Sequence, residues 1–339
     1  MMYQAYQTQS DWLWPLRSFA RWSAPMLQDP PFRHFAPATP PATREAAALC
    51  KLIELAEVTH TRPPWQIQQI DVAGDAVPVH EEAVLRTPFA TLRRFRKDGR
   101  APQPKLLIVA PMSGHFATLL RDTVQTVLRD HDVYVTDWHN MRDVPLVHGR
   151  FGLDEYTEHV MRFIAAMGPN AHVIAVCQPC VSALAAVALM AEDQHAATPA
   201  SLTLMAGPID CRVSPTAVNQ LANSKPIEWF EQNLRAQVPL RHRGAGRRVY
   251  PGFVQLSAFM SMNRERHVNA FRDYYQHVVD AEFEKAEATL VAQDLASNLR
   301  LYLRTHYVQP NVGHYGVFSG KRWQQHIYPM VRDVIHMPQ

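Results

Sequence analysis

The sequence predicts an α/β protein, a mostly parallel sheet covered by helices on both faces, with a mainly helical insertion late in the chain. Three observations carry this. Short aliphatic and β-branched runs (Lys105–Ala110, Asp132–Thr136, the run holding Val173, Ile174 and Val176, and Ser201–Ala206) alternate with segments of helical period. Strands buried on both faces read as such continuous apolar runs. Each run ends in a sharp or polar turn: Pro111-Met112-Ser113-Gly114-His115, Asp137-Trp138-His139-Asn140, Cys177-Gln178-Pro179 and Gly207-Pro208-Ile209-Asp210. In parallel sheets functional groups gather at those carboxyl ends. Residues 214–285 then lose the strand pattern and carry many aromatics, among them Trp229, Phe230, Tyr250, Phe253 and Tyr274.

Taken in order, residues 1–30 place Trp12, Trp14, Leu16, Phe19, Trp22 and Met26 at roughly helical spacing despite Pro15, which predicts an amphipathic helix. Its aromatic face is expected to pack on the body of the protein, with attachment to a lipid or polymer surface as the alternative. A Pro-rich linker follows over 31–43, then a helix from Thr43 to Val58, stopped by Pro63-Pro64. Alternation over Val84–Arg96 predicts strands. After the Lys105–Ala110 strand a helix runs through Leu128, the next strand starts at Asp132, and Phe151–Met167 is helical. The basic patch Arg241–Arg248 is expected to be a solvated loop rather than an anion site. A charged helix over Asp280–Arg300, a last strand over Leu301–Val308 and a final helix over Trp323–Ile335 complete the chain. The domain division that results is 1–80 as an N-terminal helical extension, 81–213 with 289–339 as the core, and 214–288 as the inserted cap.

Composition narrows the function classes. With 47% hydrophobic and 19% charged residues, the 339-residue chain is of ordinary globular type. A formal charge of +3 implies no nucleic acid partner. The 26 prolines against 13 glycines indicate many ordered connections. Cysteines 50, 177, 180 and 211 do not form a disulfide framework and suggest a reducing compartment. No signal peptide and no transmembrane run is read, so the protein is expected in the cytosol.

The chemistry centres on Ala171–Met190. A strand turning sharply into a helix exposes the residue at the turn, here Cys177, opposite a helix N-terminus whose N–H groups and dipole favour a thiolate. In α/β-hydrolases this is the nucleophile elbow, usually written G-x-S-x-G. Here Ala175 and Pro179 replace both glycines. Cys177 and Cys180 also read as buried packing cysteines or as a C-x-x-C redox pair. A zinc site lacks a second ligand pair. What favours the hydrolase reading is His314, in Gly313-His314-Tyr315-Gly316 just after the last strand. Nucleophile after a middle strand and histidine after the last one is the α/β-hydrolase chain order. Cys177 would attack an acyl carbonyl and His314 would move the proton. The N–H groups of Gln178 and of the Met112–Ser113 loop would hold the oxyanion, with His115 an alternative contributor.

Five further stretches carry a resemblance: the YQ…PLR start, TDWHNMRDVPL (136–146), HVIAVCQP (172–179), LMAGPID (204–210) and GHYGVFSGKRW (313–323). Through them the chain resembles the intracellular polyhydroxybutyrate depolymerases, bacterial enzymes of α/β-hydrolase type that degrade storage granules. The resemblance implies Cys177 as nucleophile and His314 as catalytic histidine. It implies amorphous poly-3-hydroxybutyrate as substrate and the granule surface as partner. Cleavage would be by hydrolysis, or by thiolysis with coenzyme A as acyl acceptor; no bound cofactor is implied. Two departures stand out. The strand and acidic loop that supply the family's aspartate are missing, because EFEKAEATLVAQDL (282–295) runs straight into VAQDLASNLR (291–300). Loss of the aspartate costs up to about ten-thousandfold in Ser-His-Asp enzymes. Asp210 is the replacement acid whose position fits. Cys180 is the second departure, read as a small packing residue or as a reversible disulfide partner of Cys177. The alternatives to an active depolymerase are a catalytically impaired granule-binding relative and a redox protein.

Overall fold

The computed structural model describes residues 2–28, 41–55, 60–99, 101–112, 114–207, 217–261 and 317–337, with 58 and 209 besides. The described residues fall into two compact units. The larger one starts at Arg62 and contains the sheet. Its strands are β1 (Gln69–Val72), β2 (Asp75–Arg86), β3 (Ala90–Lys97), β4 (Lys105–Val109), β5 (Asp132–Trp138), β6 (Ala171–Val176) and β7 (Ser201–Met205). They lie side by side in the order β1-β2-β3-β5-β4-β6-β7. The pairs β1/β2, β2/β3 and β3/β5 are antiparallel, and β5/β4, β4/β6 and β6/β7 are parallel, so all strands but β1 and β3 point the same way. From β2 onward this is the α/β-hydrolase order, with the second strand reversed. The sheet begins at Gln69, ahead of the residue-81 boundary expected for the core.

The chain moves from β4 to β5 in one direction, then crosses back over β4 to reach β6. Right-handed crossovers therefore put α3 (Arg121–Val127) and α4 (Leu153–Met167) on opposite faces. The reversal opens a crevice at the carboxyl ends of β4 and β6, where ligands bind in sheets of this kind. The apolar residues of β4 and β6 are wholly buried, as are Val124, Val160, Phe163 and Ile164. The helix α5 (Cys180–Glu192) packs on α4.

The C-terminal end is tied to α3. Thr123 donates to the Phe318 carbonyl (2.5 Å), while the Asp122 carboxylate accepts from Gly320 N–H (2.5 Å) and Gln324 Nε2 (3.2 Å). A turn Gly320–Arg322, a π-helical turn Trp323–Ile327 and a final helix Tyr328–His336 follow, with Trp323 completely buried. Of the range expected to form the cap, helices Ala217–Ser224 and Ile227–Asn233 belong to the larger unit and Gly252–Ser261 to the smaller. The basic patch departs from expectation at one residue. Arg241, Arg243 and Arg248 are exposed, but Arg247 is buried. Its guanidinium donates to the carbonyls of Val144 (2.9 Å), Gly149 (2.7 Å) and Pro145 (2.6 Å) and lies over the Phe89 ring. A planar five-donor group satisfies three carbonyls at once, and that outweighs the cost of burying it.

The smaller unit holds α1 (Met2–Gln28) and α2 (Pro41–Leu55), which pack together. Tyr6 bonds His60 (2.8 Å) and stacks on Phe253 (3.9 Å between ring centroids). Contrary to expectation, the aromatic face of α1 is not the packed one. Its buried residues are Tyr3, Ala20, Ser23 and Ala24, set with Ala47 and Ala48 of α2. Small side chains let the two helix backbones come close, so the large ones are turned outward. The predicted charged helix over 280–300 and the strand over 301–308 lie outside the described residues, as does the linker up to Pro40. Among the described residues no helix is long and apolar enough to cross a membrane, and no cluster of His, Cys, Asp or Glu is built to hold a metal ion.

Candidate active site

Cys177 stands between β6 and α5 with φ +67°, a left-handed conformation that L-residues adopt at a cost. The surroundings enforce it. Its N–H prolongs the ladder to the Met205 carbonyl of β7 (2.7 Å), and its own carbonyl accepts from Cys180 N–H (3.2 Å). Pro179, with φ −70°, caps α5. The room that glycines within the pentapeptide would supply comes from the neighbouring strand. A Cβ on Gly207 would sit 2.3 Å from both Cβ and Sγ of Cys180 and 2.7 Å from the Cys177 carbonyl oxygen. The sequence shows Gly207 as a turn residue only; its closeness to the elbow follows from the β6/β7 register.

The expectation of a lowered Cys177 pKa is overturned. Burial pushes the thiol up to about 11, against a smaller lowering by the Gln178 N–H that hydrogen-bonds the sulfur. The magnitudes explain the sign. A helix N-terminus is worth ~0.3–1 kcal/mol to an anion, less than one pKa step, whereas desolvation moves buried groups by up to ~3–5 steps. Cys180 is completely buried, its thiol directed at the carbonyls of Ala175 (3.3 Å) and Met205 (3.5 Å), and burial raises it to about 12. Both cysteines are free thiols. Neither is an easily ionised thiol of the kind that exchanges disulfides at neutral pH.

Beyond β4, the residue expected in the oxyanion loop is held in place. Ala110 N–H donates to Thr136 Oγ1 (2.9 Å), while Trp138 Nε1 (2.9 Å) and the Tyr156 hydroxyl (3.0 Å) both donate to the Ala110 carbonyl. Trp138 and Tyr156 stack at 4.2 Å. These partners fix the chain two residues before Met112. They give the Thr136-Asp137-Trp138 stretch a role that its residues alone did not disclose. The Met112 N–H donates to Gln178 Oε1 (2.8 Å), so the side chain beside the nucleophile occupies the donor expected to face an oxyanion. His115 is half-buried in the bend that follows.

Asp137 is at the end of β5 and is buried, with Oδ2 ion-paired to Arg93 and 3.4 Å from Arg62, both of which also reach Glu81. It closes a charge cluster on the β2–β3–β5 side and does not join Cys177. The structure thus brings Cys177, Gln178 and Met112 together. Ser113, Asp210 and His314 lie outside the described residues.

The family described as "PHB de-polymerase C-terminus" matches residues 206–291 and 287–339. Residues 206–339 are thus similar to the C-terminal region of PHB depolymerases. The match comes in two pieces that meet at 287–291, the place where the sequence runs directly from cap to 291–300. No curated protein matches significantly. Among solved structures, an esterase-like protein from Staphylococcus aureus superposes with TM-score 0.31 at 14% identity, over 55% of this chain and 60% of that one. A lipase-like protein from Acinetobacter baumannii gives 0.32 at 14%, over 62% and 67%. The chain spans less than two thirds of the first protein's length, and superpositions of this quality carry nothing about chemistry.

Proposed function

We propose that the protein is an ester hydrolase of the depolymerase type, cleaving poly-3-hydroxybutyrate of storage granules in the cytoplasm through a cysteine acyl-enzyme. The observation that carries this reading is Cys177 at φ +67° in the strand-to-helix turn at the carboxyl edge of the sheet. A sulfur held at that turn projects into the crevice where an ester would lie.

Because burial keeps the Cys177 thiol protonated at neutral pH, a base must take its proton as the sulfur attacks. His314 is assigned that role. Support comes from its flank, since Phe318, four residues on, is bound to Thr123 of α3. The S–C bond forms, the proton passes to His314, and the carbonyl oxygen becomes an oxyanion facing the N–H groups of Gln178 and of the Met112–Ser113 loop. The Gln178 side chain must first leave the Met112 N–H. Collapse breaks the ester C–O bond, and the imidazolium protonates the departing alkoxide. Water or the thiol of coenzyme A then discharges the thioester, releasing the free acid or its coenzyme A ester. Asp210, which follows β7, is assigned as the acid that orients His314.

Release of 3-hydroxybutyrate, or of its coenzyme A ester when coenzyme A is added, from amorphous granules tests this. Wild type should release product and Cys177→Ala should not; equal release by both sinks the nucleophile. A granule-binding relative without turnover is the second reading. It is favoured by the break in the family match at 287–291, and granule binding without product would establish it.

A further inference from the structure

The smaller unit carries a face that the catalytic reading leaves unused. On α1, Trp12, Leu16, Phe19, Trp22 and Met26 are all exposed, Trp12 at 80% and Trp22 at 63%. At ~100° per residue they fall within about a third of the helix circumference. The packed seam runs along the edge of the stripe through Ala20, Ser23 and Ala24, and the five large side chains themselves stay exposed beside it. A contiguous aromatic stripe that folding does not use marks a binding surface.

We propose that this stripe is where the protein docks on the surface of its solid polyester, an inference that rests on the depolymerase reading. The charge pattern selects the occupant. Helices that lie on anionic bilayers flank their apolar face with Lys and Arg. Here the only cations of α1 are Arg17 and Arg21, turned to the far side of the helix from the stripe, with Arg21 3.8 Å from Glu54 of α2. No charged residue interrupts Trp12, Leu16, Phe19, Trp22 and Met26. The complement of such a face is uncharged and apolar. It also offers hydrogen-bond acceptors to the indole N–H groups of Trp12 and Trp22, as the ester carbonyls and methyl groups of poly-3-hydroxybutyrate do. Docking of this kind would hold the enzyme at a substrate that cannot diffuse.

The test uses the full chain carrying Cys177→Ala, so that the polymer is not consumed, and amorphous poly-3-hydroxybutyrate particles as probe. Adding Trp12→Ser, Phe19→Ser and Trp22→Ser together should weaken co-sedimentation by on the order of tenfold per side chain. Trp14→Ser, off the stripe, should leave it unchanged. With Cys177 intact, the triple variant should hydrolyse a soluble 3-hydroxybutyrate oligomer at the wild-type rate, which shows that it folds. Three results overturn the proposal: undiminished particle binding by the triple variant, tighter wild-type binding to phosphatidylglycerol vesicles than to the particles, or a shift from dimer to monomer in the triple variant. Product release is a separate readout. Binding through the stripe without product from wild type would reject the depolymerase reading and keep the docking surface, and the converse would do the opposite.

Discussion

The protonated state of Cys177 makes a quantitative prediction about its reactivity. At pH 8 a thiol of pKa 9.0 is about one-tenth ionised, and one pushed up to about 11 is about one-thousandth ionised. The more basic sulfur is the better nucleophile, recovering about eightfold for a Brønsted slope of ~0.4–0.5. Exchange with an uncharged pyridyl disulfide should therefore run about tenfold slower than for an ordinary cysteine before any steric hindrance, and should climb about tenfold per pH unit from 7 to beyond 10. Stopped-flow absorbance, taken as the difference between wild type and Cys177→Ala, isolates this thiol from the others. The steep profile should persist in His314→Ala, which nevertheless abolishes ester turnover, because the histidine acts only as the sulfur attacks. A rate that is flat between pH 6 and 8 and is lost in His314→Ala would mean a standing thiolate–imidazolium pair. That result would refute the argument from burial.

Other perturbations probe the scaffold. Gly207→Ala puts a methyl 2.3 Å from Cys180 and should destabilise by at least ~1–3 kcal/mol. Adding Cys180→Gly should recover part of the melting temperature but not all, because the Cys177 carbonyl remains 2.7 Å away. Trp138→Phe or Tyr156→Phe alone leaves the Ala110 carbonyl one partner and should cost ~1 kcal/mol each in urea denaturation; the double variant should lose more than the sum, since that buried acceptor then has none. His131 is buried and its pKa is lowered to about 4, chiefly by desolvation, so the unfolded chain takes up the proton first. Its stabilisation is full above pH 6.5 and should fall by about 3 kcal/mol as pH drops towards 4, and His131→Gln should flatten that fall in denaturation curves taken across the range.

The α/β class, the strand–turn–helix unit at Cys177 and the order of β4 to β7 were legible in the chain because buried parallel strands write themselves as uninterrupted apolar runs, and the elbow as a break between run and helix. Antiparallel strands at the edge are less visible. In β2 exposed Glu81 and half-buried Glu82 interrupt the pattern, and β1 has only four residues. Local sequence also could not give the sign of the Cys177 pKa, since the dipole of a helix start is written in the turn itself whereas desolvation is set by neighbours from elsewhere in the chain. The same holds for Gly207, Arg247 and the Trp138–Tyr156 pair, whose partners are distant in sequence. For α1, periodicity determined that there would be a helix with an aromatic stripe, and only tertiary structure decided which face is buried. Hydrophobicity favoured the aromatics, but the close approach of α1 to α2 needs small side chains at the seam, and the seam went to the alanines.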